Sequence, residues 1–264
     1  MAQQHPTPAR ARPGFELAPH TVVELYPRAA VLTAWFNAMT SGAVPDLIDC
    51  PAAQPSDPFH GSEAGIPEWR DARLPLGAAL ALLTDVRPAH CALPVPGDLG
   101  GLPAGVPRAA GAGQAMLIPV PDATVVITPT SVAGGRTVWH ATRAPAVPPP
   151  VVDLRNERLQ IMELLAEAVR TAADATLPAA DGRSVEREVE LLRRVPMPPG
   201  SAGAAVELAR SSATLMTIVA GALAALPDHG ADATRVRATL TPLGAAGRRA
   251  LAVAFSCAGG STSR

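Results

Sequence analysis

The 264-residue chain has no lysine: all 22 of its strongly basic side chains are Arg. That absence excludes a P-loop lysine, a Schiff-base lysine and a kinase-type phosphate lysine. Tyr26 is the only tyrosine, so a Tyr-Lys dehydrogenase pair is excluded as well. Aromatic residues make up 3% of the chain although 48% is hydrophobic. The apolar content is therefore mostly Ala, Val and Leu. Burial stabilises by about 25 cal/mol per Å², so a core of small side chains depends on many modest contacts. The Arg, Ala and Pro bias is that of a GC-rich genome.

Cysteine is also scarce. Cys50, Cys91 and Cys257 form no CxxC and no zinc-finger spacing. A sparse, odd count fits a reducing compartment, and the expected location is cytoplasmic. Neither GxGxxG, Walker A, HExxH nor GxSxG is present. The near-miss Gly200-Ser201-Ala202-Gly203 follows Pro198-Pro199 and reads as a helix start capped by Ser201.

The net charge is -1, with arginines and carboxylates interspersed. No global field favours nucleic acid or an anionic membrane, and neither is expected as a partner. Arg193-Arg194 and Arg248-Arg249 read as solvated helix faces. The first 20 residues lack an apolar core after Arg10 and Arg12, and read as a disordered leader rather than a secretory signal. Residues 259–264 read as a flexible tail. Ser211 to Leu226 is uncharged but shorter than the roughly 20 residues that span a bilayer. Its Ser, Thr and Gly content suits a buried core helix.

Residues 21–144 read as an α+β domain. Thr21 to Met39 suits a helix with Pro27 in its first turn and Trp35 and Phe36 as core anchors. Asp46 to Arg73 carries four prolines, with Pro45 just before it, and reads as an irregular excursion, a lid or a disordered loop, holding no central strand. A short helix is expected over Leu76 to Val86. Strands are expected over Ala89 to Val95, Gln114 to Val120, Ala123 to Thr130 and Arg136 to Ala141. Pro121-Asp122 makes a tight hairpin, and Gly134-Gly135 mark another turn. The expectation is a small antiparallel sheet with helix cover on one face.

Pro148-Pro149-Pro150 marks a stiff linker over residues 145–152. Residues 153–258 carry no strand signal and read as an antiparallel helical bundle. Asp153 caps a helix whose inner seam is Leu154, Ile161, Leu165, Ala168 and Ala172. Ser184 is the expected cap of a helix to Val195, and another helix runs over Ser201 to Leu226. A last helix spans Asp232 to Cys257, kinked or split at Pro242.

Chemistry has few places to sit. His90-Cys91-Ala92-Leu93-Pro94-Val95-Pro96-Gly97-Asp98-Leu99-Gly100-Gly101-Leu102-Pro103 runs a strand into a Gly/Pro-rich loop with one carboxylate. Backbone donors are free in such loops, which makes Gly97, Asp98, Gly100 and Gly101 candidate ligand-binding residues. The preferred reading of the stretch is that Gly and Pro simply shape a turn that Asp98 caps. Catalytic candidates are Cys91, Asp98 and His140, since a thiol beside an imidazole becomes a reactive thiolate. His90 and Cys91 are adjacent on a strand, point to opposite faces, and do not pair with each other. His60, His90, His140 and a carboxylate have no metal-ligand spacing, so no metal and no cofactor is expected.

The segment from Ala92 to Pro103 resembles an LPVPGD-x-x-GLP stretch in a family of uncharacterised actinobacterial proteins. That resemblance implies a β-containing front half and an Arg/Ala-rich helical back half, and implies no catalytic residue. No set of residues names a reaction. The leading expectation is a non-catalytic interaction or regulatory protein, binding a protein partner or a second copy through its C-terminal helices. The alternative is a small-molecule hydrolase or transferase with its pocket between sheet and bundle.

Overall fold

The computed structural model describes residues 25–54, 56–69, 74–83, 86–133, 136–175 and 182–258. The expected leader, tail, Gly134-Gly135 turn and the Arg73 end of the excursion lie outside these residues. The fold is α+β, with a five-stranded sheet in the first half and four helices in the second.

The sheet grows from its hairpin. β3 (Ala115–Val120) and β4 (Ala123–Ser131) pair antiparallel from Met116 with Ile127 to Val120 with Ala123. Pro121-Asp122 closes the turn, with Asp122 at φ 59°. Proline presets the first turn position, and Asp tolerates the left-handed second one. β5 (Thr137–Pro145) pairs antiparallel with all of β4, and β2 (His90–Ala92) pairs antiparallel with β3.

The remaining strand corrects the expectation of a wholly antiparallel sheet. β1 (Phe59–Glu63) lies inside the proline-rich excursion and pairs parallel to β5, giving the order β1-β5-β4-β3-β2. An edge strand needs hydrogen bonds on one side alone, so flanking prolines do not forbid it. Gly61 is required there: a Cβ would sit 2.7 Å from the Phe59 ring and 2.8 Å from Trp69 Cβ. Trp69 packs edge-on against Phe59, and its Nε1 donates to Ala79 O in α2 (Leu76–Ala81).

Helices cover both faces of the sheet rather than one. Strand alternation sends Cys91, Met116, Ile118, Val125, Ile127, Trp139 and Ala141 to one face, against α1 (Arg28–Thr40) and the C-terminal helices. Ala92, Ala115, Leu117, Val126 and Ala144 go to the other, where Leu102, Val106 and Ala109 cover part of it. Ala109 belongs to α3 (Pro107–Ala112), a short helix inside the Gly/Pro-rich stretch.

The C-terminal half comprises α4 (Leu154–Ala173), α5 (Gly182–Leu191), α6 (Gly203–Ala225) and α7 (Ala231–Cys257). Asp153 caps α4, its side chain accepting from Arg155 N and Asn156 N. Ser184, the expected cap, lies inside α5, which is already helical at Gly182, and the Ser201 hydroxyl donates to Pro198 O while Ala202 holds the cap position of α6. α7 runs unbroken through Pro242. The carbonyl that proline deprives of its helical donor is that of Ala238, and both residues are exposed, so the carbonyl is open to solvent. Gly247 lets α6 and α7 approach closely, since a Cβ there would lie 3.1 Å from Met216 Cγ and 3.7 Å from Ser212 O.

The linker does not separate two cores. The end of α7 is buried all round, from Ala250 to Ser256, and belongs to the same apolar cluster as α1 and the sheet. Asn37 of α1 is 2% exposed and donates to both Ala89 O and Ser256 O, while its Oδ1 accepts from Ala89 N. The Ser256 hydroxyl in turn accepts from Cys91 N and donates to Ala252 O. Tyr26 OH and Trp35 Nε1 donate to Leu192 O and Pro196 O, fastening the connection after α5. Among the described residues, α6 alone is long and apolar enough to cross a membrane. It packs along α7 and buries Ala205, Leu208, Ala209, Ala213, Leu215 and Val219.

Replacing Asn37 with Leu leaves one buried N–H and two buried carbonyls without their partner. Asn37→Leu should lower the unfolding free energy by about 3 kcal/mol in urea titrations at pH 7, and a loss below about 1 kcal/mol would contradict this role.

Candidate functional site

The half of the second sheet face that α3 leaves uncovered carries the polar groups. The register sets His60 beside His140 and Glu63 beside Thr142, with Thr142 next to Val126 and Thr128 next to His140. A recess of about 160 Å³ lies between this surface and α3. Glu63, Thr142 and Thr128 line its sheet side, and Val106, Pro107, Arg108 and Ala109 line its helix side.

Electrostatics on this face favour a neutral His140 imidazole. The His60 and His140 rings stack with centroids 5.1 Å apart and planes 17° from parallel. His140 titrates below the ordinary histidine range: partial burial, the Arg108 guanidinium and the neighbouring His60 all disfavour its cation, and Glu63 opposes them. The recess thus offers a guanidinium, a carboxylate, two hydroxyls and a neutral imidazole at its edge. Such a set has the groups that can hold a small polar molecule bearing an anionic group, by hydrogen bonds and charge.

The candidates read from the sequence do not meet. Cys91 is 6% exposed and turned into the core on the opposite sheet face from His140, with β3 and β4 between their strands. Burial raises its thiol far above the ordinary range, and raises those of Cys50 and Cys257 to about 11. Asp98 is exposed. Its carboxylate accepts from Gly100 N and lies 3.6 Å from Arg248, while its backbone closes a turn with Val95. Gly97, Gly100 and Gly101 all have positive φ, so they shape that turn. None of these residues lines the recess, and the recess is on the sheet face turned away from the C-terminal helices.

His90 lies on β2, at the opposite sheet edge from His60, and its buried Nδ1 has no partner. Among the described residues, no three His, Cys, Asp or Glu side chains cluster closely enough to hold a metal. Sequence reasoning missed Glu63, Arg108, Thr128 and Thr142. The alternation from Thr137 to Arg143 holds the signal for His140 and Thr142 sharing a face. Glu63 and Arg108 carry none, because β1 and α3 were not legible.

Residues 29–154, slightly under half of the chain, match the family described as Rv1486c-like protein, N-terminal domain. The match runs from α1 through the sheet to the first residue of α4, and supports the resemblance to a family of uncharacterised actinobacterial proteins. Neither the curated proteins nor the solved structures contain a match to the chain.

Because the folded state disfavours protonated His140, this group makes folding less favourable as pH falls below its unperturbed value near 6.5. Arg108→Gln should move the His140 imidazole titration, followed by NMR, upward toward that value. An unchanged titration would show that Arg108 does not act on this ring.

Proposed function

We propose that this is a cytoplasmic, non-catalytic interaction or regulatory protein that docks a protein partner through its C-terminal helices. The observation that carries this reading is the outer face of α4. One side of the helix buries Glu157, Ile161 and Ala168 against the rest of the protein. The other presents Leu159, Met162 and Val169 at 53%, 56% and 59% exposure. A surface helix normally has one apolar face, and a second apolar stripe on the solvent side marks a contact surface. The segment from Ala92 to Pro103 corresponds, in this reading, to the LPVPGD-x-x-GLP stretch of the actinobacterial family, and serves as a structural turn.

The test is a photoreactive phenylalanine analogue in place of Met162 in the full chain, with the same group in place of the exposed Thr241 as control. Irradiation in cells should give discrete protein adducts at position 162 and none at 241. No adduct at 162, or the same adducts at both positions, would sink this reading.

The recess favours a second reading, in which the chain binds a small polar molecule with one anionic group. Glu63 and Arg108 line it without forming an ion pair with each other. Ligand-observed NMR with a panel of small amino acids and carboxylates tests it. Binding should be lost in Arg108→Gln, and a panel with no binder would dismiss the recess as a ligand site.

A further inference from the structure

We propose that α4 is a self-association seam, at which two copies of this chain pair antiparallel through their outer faces. The inference rests on the interaction reading and names its partner. Leu159, Met162, Ala166, Val169 and Ala173 are all exposed and follow one another at steps of three and four residues. That spacing is the one two packed helices need to keep a continuous seam facing each other. The stripe spans 15 of the helix's 20 residues, and it lies opposite the buried face.

Size and charge select the occupant and its direction. Set antiparallel about a two-fold axis near residues 167 and 168, Met162 lies opposite Ala173 of the second copy. Val169 lies opposite Ala166 of the second copy, and the two-fold repeats both pairs. Met162 and Val169 each meet an alanine, as interdigitating helices require, and Leu159 extends past the end of the paired stretch. The same register brings Glu163, at one border of the stripe, beside Arg170 of the second copy, twice by symmetry. Both groups stand in solvent in the single chain. The Glu163 residue is exposed, and the Arg170 side chain is 68% exposed with only its exposed neighbour Glu167 as an ion-pair partner. A parallel pairing would set Ala166 against Ala166 and Ala173 against Ala173, leaving gaps where the antiparallel register has none. The alanines also let the helix axes approach closely, which suits a seam with few bulky residues.

Sedimentation velocity of the full chain over a wide concentration range tests the proposal. The expected result is a concentration-dependent dimer. Met162→Glu combined with Val169→Glu should weaken it by at least about a hundredfold, because carboxylates would be buried unpaired. Thermal unfolding of the dilute chain should not change, since both side chains are exposed there. Glu163→Arg should weaken the dimer about tenfold, and adding Arg170→Glu should restore it. A chain that stays monomeric at every concentration overturns the proposal, as does a dimer that survives the double glutamate variant. Failure of the charge reversal to be rescued overturns the antiparallel register. A monomeric chain that still forms adducts with another protein at position 162 would refute self-pairing and leave the broader interaction reading standing. Absence of both would end the two together.

Discussion

Asn37 sits buried where α1, the start of β2 and the end of α7 converge, and its single amide serves all three. A side chain that donates to Ala89 O and Ser256 O while accepting from Ala89 N fixes distance and angle together. Hydrophobic contact does not: Ala and Leu surfaces slide at little cost. In a core built mostly from small aliphatic side chains, polar pins of this kind decide which surfaces meet. Ser256 repeats the device one step along, tying β2 to α7 through Cys91 N. Sequence separations of 52 and 219 residues are thereby bridged by one side chain. The two halves of the chain consequently share a core although a proline-rich linker joins them.

With α7 held at the centre, the other C-terminal helices are arranged by what α7 leaves exposed. α6 meets it through small residues and glycine at close range, so α6 is apolar enough to resemble a spanning helix while burying only a third of its most apolar window. α4 lies on α7 as well, with Glu157 and Arg249 joined at 3.1 Å near the inner edge of the contact. That pairing is half exposed on the arginine side and contributes orientation more than stability. Having one side spent on α7, α4 still has Leu159, Met162 and Val169 facing outward. Nothing in the folding of a single chain requires these residues to be apolar.

Elements whose signal is local were legible in the sequence. The β3–β4 hairpin follows from alternation around Pro121-Asp122, and the start of α4 follows from Asp153 as a cap. β5 was placed but ended four residues early, because Thr142, Arg143 and Pro145 look like a strand end when read alone. What extends it is the full-length pairing with β4. β1 was not legible at all. Phe59–Glu63 contains glycine and two charged or titratable residues among prolines, and it is a strand only because β5 offers an open edge. The helix is not split at Pro242, one of the two outcomes expected there, for a related reason: proline's cost depends on whether the freed carbonyl can reach water, which is a tertiary fact. The site suffered most from this limit. His140 could be singled out by residue type, but its neighbours His60, Glu63 and Arg108 arrive on the two elements that only pairing and packing define.

The separation of Cys91 from His140 comes from strand order and register and not from rotamers. Two strands lie between them, and side chains alternate along a strand, so turning the thiol even to the recess face would require β2 to slip by one residue against β3. Such a slip would expose Cys91 and drive His90 into the apolar cluster that holds Met116 and Ile118. It would also break the bond from Cys91 N to Ser256 Oγ, and with it part of the junction between the halves. The interactions that join the two halves therefore also keep the thiol away from the imidazole. Whatever polar molecule enters the recess meets Arg108, Glu63, two threonine hydroxyls and the edge of His140, and meets no thiolate. The recess, lined by the sheet and α3, and the stripe on α4 share no residue, so a ligand at one contacts none of the side chains that the other offers to a protein surface.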